Sequence, residues 1–93
     1  MNNEYELNLK ILGMQFEGSI FSVSKIADKL KLKPKMYSIK QCHKIDHNKF
    51  YLYIDGNTIK ANVGDWIVKI EKKGVDVKYQ IVDNKRFVKL FKE

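Results

Sequence analysis

The sequence contains one cysteine, one proline and one arginine in 93 residues, and only five glycines. Each scarcity excludes something. A lone Cys42 has no partner for an internal disulfide, which points to a reducing compartment. No apolar run approaches the ~18 residues needed to cross a bilayer. Residues 1–9 lack the basic-then-apolar pattern of a secretory signal, so the expected location is the cytoplasm, away from any membrane. No glycine-rich loop is spaced to cradle a phosphate, and no serine sits in a Gly-x-Ser-x-Gly elbow. The chain is also short. One domain, residues 1–93, is expected, burying about 60–65% of its unfolded surface. A deep catalytic pocket would compete with that small core for apolar side chains. Self-association would offset it, so a homo-oligomer is expected.

What is abundant is lysine, at 17 residues. The net charge is +7 and it is unevenly spread. Residues 1–24 carry one lysine against three glutamates, residues 25–49 eight lysines against Asp28 and Asp46, and residues 50–93 nine basic groups against six acidic ones. A basic segment attracts phosphate-bearing partners. Lysine gives point charges rather than the bidentate fork of arginine, and a lysine-rich surface is also what plain solvation requires.

The hydropathy pattern predicts an α+β fold. Residues 5–11 alternate apolar with polar as a half-buried strand, followed by a bend or bulge at Gly13. Val23, Ile26, Ala27 and Leu30 have helical spacing, with Ser22 or Ser24 as the N-cap and Pro34 as the stop. Strands are then expected at residues 37–45, 50–54, 58–63, 66–70 and 75–81, the first with blurred alternation. Asp55-Gly56-Asn57 is the strongest hairpin signal. Trp66, Val68 and Ile70 are assigned inward, and Tyr51, Tyr53, Lys60, Lys69 and Lys78 outward. Asp83 caps a short terminal helix whose Phe87, Leu90 and Phe91 form one apolar stripe. The expected architecture is an antiparallel meander of about five strands, open to curling into a partial barrel. One helix follows the first strand and a short helix ends the chain.

Residues 59–69, reading Ile-Lys-Ala-Asn-Val-Gly-Asp-Trp-Ile-Val-Lys, resemble a signature of small proteins encoded by temperate phages and prophages of low-GC bacteria. In that family a strand leads into Pro-Gly-Asp-Trp/Tyr-Ile-Ile, then a glycine-containing hairpin, then a short Asp-capped helix with aromatics on one face. Gly74, Asp83, Phe87 and Phe91 match the hairpin and helix, and Gln15-Phe16-Glu17-Gly18 is similar to the close of the family's early strand. Val63 stands where proline is usual, Ile70 where glycine is common, and a Pro-Cys-Lys-Pro run before the helix is absent. The resemblance implies a viral context and a fold, not a reaction. Physically, Gly64-Asp65 reads as a structural turn.

Catalytic chemistry finds little footing. Cys42, His43 and His47 offer zinc-type ligands, but Cys42 and His43 point to opposite faces of a strand and no second ligand pair exists. Asp55, Asp65, Asp76 and Asp83 all fall in or beside turns. No enzyme, cofactor or metal is expected. Tyrosines interleaved with lysines on outward strand faces can stack on bases and attract phosphates, although the same residues also suit a solvated sheet or a dimer interface. The expected function is that of a phage-encoded, stoichiometric antagonist of a host defence system. Its partner would be an anionic nucleotide signal or a defence protein. Lys31, Lys33, Lys35, Lys40, Tyr51, Tyr53 and Arg86 are the candidate contacts. The alternative is a nucleic-acid-binding accessory protein for phage regulation or replication.

Overall fold

The computed structural model describes residues 9–72 and 77–91. The start of the first expected strand, the Lys73-Gly74 turn and Val75 lie outside the described residues. Among the described residues there are six strands and two helices: β1 (Leu9–Gln15), α1 (Ile20–Leu30), β2 (Tyr37–Lys40), β3 (Lys49–Ile54), β4 (Asn57–Asn62), β5 (Trp66–Lys72), β6 (Lys78–Val82) and α2 (Asn84–Phe91). Short 3₁₀ turns at Pro34–Met36 and Ile45–His47 flank β2 and β3.

The expected single meander is corrected. The strands form two antiparallel three-stranded sheets, ordered β1-β5-β6 and β2-β3-β4. β4 runs beside β6, and α1 rests against β1 and β2. The reason lies in the Gly-Asp turn. Gly64 adopts φ 98°, a left-handed conformation open to glycine at no steric cost. Its N–H donates to the Phe16 carbonyl at 2.8 Å, and the Phe16 N–H donates to Asp65 at 2.9 Å. Asp65 Oδ2 accepts from the Asn62 N–H at 2.9 Å. This turn takes the chain off β4 and lays β5 along β1, with Gln15 opposite Trp66 and Leu9 opposite Lys72. The β3–β4 hairpin matches its sequence signal: Ile54 pairs with Asn57 across Asp55 (φ 50°) and Gly56 (φ 78°), the doubly left-handed pattern of a type I′ turn.

The main core lies between the two sheets and α1. Phe16, Ile26, Leu30, Phe50, Leu52 and Ile67 are fully buried there, with Val23, Leu32 and Ala61 around them. The Phe16 and Phe50 rings meet at 5.8 Å. The apolar spacing of α1 is as expected, but its cap is Ser19, whose Oγ accepts from the Ser22 N–H at 3.0 Å. Ser22 is instead buried, accepting from the Glu17 N–H and donating to the Gln15 carbonyl. Nor does Pro34 stop the helix. α1 ends at Leu30, where Lys31 turns left-handed and the Leu32 N–H reaches back to Ala27.

β5 is covered on both sides, so its alternation resolves differently from the expectation. Trp66, Val68 and Ile70 face α2, whereas Ile67 and Lys69 face the main core. Lys69, assigned outward from the sequence, is only 6% exposed. Its ammonium donates to the Leu30 carbonyl at 2.6 Å and pairs with Glu71 at 3.1 Å. A cation at the C-terminus of α1 meets the negative end of the helix dipole. The hydrogen bond from Lys69 holds the Glu71 carboxyl below its ordinary value.

Gly13 is no bulge: the β1–β5 register runs unbroken through Gly13 opposite Val68. A Cβ there would lie 3.0 Å from the Phe87 ring. The absent side chain lets Phe87 lie flat on Trp66, with ring centroids at 3.8 Å and an interplanar angle of 2°. Asp83 caps α2 as expected, accepting from the Arg86 N–H at 2.8 Å. Of the predicted stripe only Phe87 is buried; Phe91 leans on it at 4.8 Å and, like Leu90, stays exposed. No helix among the described residues is long and apolar enough to cross a membrane.

Candidate nucleic-acid interface

The two sheets use their outer faces differently. Alternation along β3 sends Phe50 and Leu52 into the core, so Lys49, Tyr51 and Tyr53 project from the opposite face. Register then assembles the rest of that face. Lys40, Lys49 and Asn62 form one cross-strand row, and Ser38, Tyr51 and Lys60 the next. Tyr53 pairs with Thr58 in the third. No carboxylate stands on this face along β2, β3 and β4.

Lys40 and Lys49 are direct cross-strand partners. Like charges placed directly opposite each other destabilise a sheet. The Lys49 ammonium donates to Asn62 Oδ1 at 2.7 Å, a neutral partner that positions the charge without cancelling it. Tyr53 is exposed, and its hydroxyl shares a 2.6 Å hydrogen bond with Ser38 Oγ that fixes the ring on the surface. Tyr51 is half-buried beside it. Side chains two apart on one strand are separated by about 6.6 Å. The face therefore carries two aromatic platforms at a spacing suited to successive unstacked bases, with cations alongside.

Of the candidate contacts named from the sequence, the structure brings Lys40, Tyr51 and Tyr53 together. Lys31, Lys33 and Lys35 are exposed on the segment joining α1 to β2, the last in the 3₁₀ turn that packs against β3. Arg86 sits apart, on α2 over the other sheet. Lys49 lies just before the strand expected at residues 50–54, and the structure makes it the first residue of β3. Its signal was the parity with Tyr51 and Tyr53. The expected strand over residues 37–45 stops at Lys40, and residues 41–47 form an exposed loop.

That loop also holds the would-be metal ligands. The Cys42 N–H donates to the buried Asn48 at 2.6 Å, and its Sγ donates to the His47 carbonyl at 3.2 Å. Among the described residues no three His, Cys, Asp or Glu side chains converge on a metal-sized site. Clefts open at the surface of the described residues. One of about 460 Å³, at the mouth between the sheets, is lined by Met36, Tyr53, Ile54, Asp55, Val77 and Tyr79. Another, of about 300 Å³, lies between β1 and α1, with Glu17, Lys25 and Trp66 on its walls. Comparison with protein-family models, curated proteins and solved structures finds no match for this chain.

Proposed function

We propose that this protein is a non-catalytic binding protein that holds single-stranded nucleic acid on the open β2–β3–β4 face. The juxtaposed Lys40 and Lys49 carry the reading. A sheet that sets two lysines directly opposite each other, with Lys60 nearby and no carboxylate on the same face of its strands, is poised for a polyanion. Tyr51 and Tyr53 supply stacking surfaces, which only splayed bases can reach, so a single strand fits better than a duplex. An accessory factor acting on single strands in the cytoplasm of a phage-infected cell agrees with both the face and the sequence resemblance.

A second reading is a phage antagonist that sequesters an anionic nucleotide signal or binds a defence protein. The 460 Å³ cleft beside Tyr53 favours it, being within the ~300–1,000 Å³ range of small-ligand sites. Its lining opposes it, because it includes Asp55 and, among the described residues, no cation. In either reading, self-association would cover the exposed Leu9, Ile11, Leu90 and Phe91 around the α2 side.

The test is fluorescence anisotropy with a labelled oligothymidylate over a salt series. Three lysines on the face give a slope of log affinity against log salt of about −2 for a single strand. Replacing Tyr51 and Tyr53 together with alanine lowers affinity by tenfold or more, at about 1–3 kcal/mol per stacked base. A salt-independent affinity, or an unchanged double variant, would remove the face from consideration.

A further inference from the structure

The cleft at the end of the open face has a chemistry opposite to that of the face. Tyr53 belongs to both: it stands on the outer face of β3 and is among the residues lining the cleft. A strand that stacks one base on Tyr53 would bring its next base to the cleft mouth. Met36, Ile54 and Val77 line it together with a second tyrosine, Tyr79, and more of its exposed lining is polar than apolar. Among the described lining residues the single charged one is Asp55, in the type I′ turn. With a carboxylate and no cation among its described lining residues, this cleft favours a base over a phosphate.

An ionised carboxylate only accepts hydrogen bonds, through two oxygens. It is satisfied by two adjacent donors on one edge. Among the bases, guanine alone presents such a pair on its Watson–Crick edge, N1–H beside the N2 amine. Adenine and cytosine each set a ring acceptor beside their amine, and thymine or uracil offers one N–H between two carbonyls. We infer that the Met36–Tyr53–Asp55–Tyr79 cleft is a guanine pocket, in which Asp55 accepts from the Watson–Crick edge of a base at the end of a strand lying on the open face. The inference rests on the proposed single-strand reading and adds base selectivity to a surface that is otherwise sequence-tolerant.

Asp55→Asn is a clean probe, because Asn-Gly is the most favoured type I′ pair and the hairpin is retained. It removes the anionic acceptor alone. The experiment measures anisotropy of the wild-type and Asp55→Asn proteins with labelled hexathymidylate and with the same oligomer carrying one guanine at either end. Free GMP serves as competitor. The wild type is expected to bind one of the guanine-ended oligomers about tenfold more tightly than hexathymidylate, the scale of hydrogen bonds to a charged group. Asp55→Asn should abolish that preference and leave hexathymidylate binding unchanged. Equal affinity of the wild type for all three oligomers would overturn the guanine pocket while leaving the single-strand reading intact. Binding of no oligomer at all would overturn the single-strand reading itself. GMP competing as well as the guanine-ended oligomer would overturn the strand assignment and make a free guanine nucleotide the ligand.

Discussion

The two three-stranded sheets share a core and differ on their outer faces. Outside β1-β5-β6, Gly13, Trp66, Val68 and Val82 are apolar or minimal, and Phe87 of α2 is stacked over them. Outside β2-β3-β4 stand Lys40, Lys49, Lys60, Tyr51 and Tyr53, with no helix over them among the described residues. The first face is built for stability and the second gives some stability up. A cross-strand Lys–Lys pair is a local choice against the fold, and such choices tend to mark functional surfaces.

Substitutions should separate the two faces. The largest effect is expected on the covered one. Phe87→Ala removes the ring that seals Trp66 and Gly13 and should cost about 3–5 kcal/mol, read as a large fall in thermal midpoint. A loss under about 1 kcal/mol would mean that α2 is not integral to the fold. On the open face the signs should invert. Lys40→Glu replaces a repulsive pair with an attractive one and should raise stability by about 0.2–1 kcal/mol while weakening oligonucleotide binding. If Lys40→Glu lowers both, the pair is not in conflict in the free protein.

The smallest effect concerns pH. The hydrogen bond and charge of Lys69 depress the pKa of Glu71, so the ionised form is favoured by folding. The resulting stability is fully present above the ordinary value near 4.5 and is lost as pH falls through the lower folded value. Glu71→Gln should lower stability slightly at neutral pH and leave it nearly unchanged below the folded pKa, so that the acid limb of the stability–pH curve flattens. An identical acid limb in the variant would show that the pair contributes nothing measurable.

Local features were legible in the sequence. The α1 spacing, the Asp55-Gly56 hairpin, the Asp83 cap and the outward Tyr51 and Tyr53 all follow from rules acting over a few residues. The pairing of β1 with β5 was not legible, because it joins Gln15 to Trp66 across half the chain through hydrogen bonds between Phe16 and the Gly64-Asp65 turn. That pairing gives β5 two buried faces, which is why period-two reasoning sent Lys69 outward when it in fact holds the C-terminus of α1. The site was half legible. Alternation found the tyrosines and Lys40 was named, but the opposition of Lys40 and Lys49 depends on cross-strand register, which composition and charge counting do not carry. Arg86 was grouped by charge alone, and charge does not place a residue on a face.

The most direct test of the open face is residue-resolved. A ¹⁵N-labelled sample titrated with hexathymidylate at low salt should show amide shift changes concentrated at Ser38, Lys40, Lys49, Tyr51, Tyr53 and Lys60, while residues around Trp66, Val68 and Phe87 stay still. Changes confined to α2 and the β1-β5-β6 sheet, or none at saturating oligomer, would contradict the account.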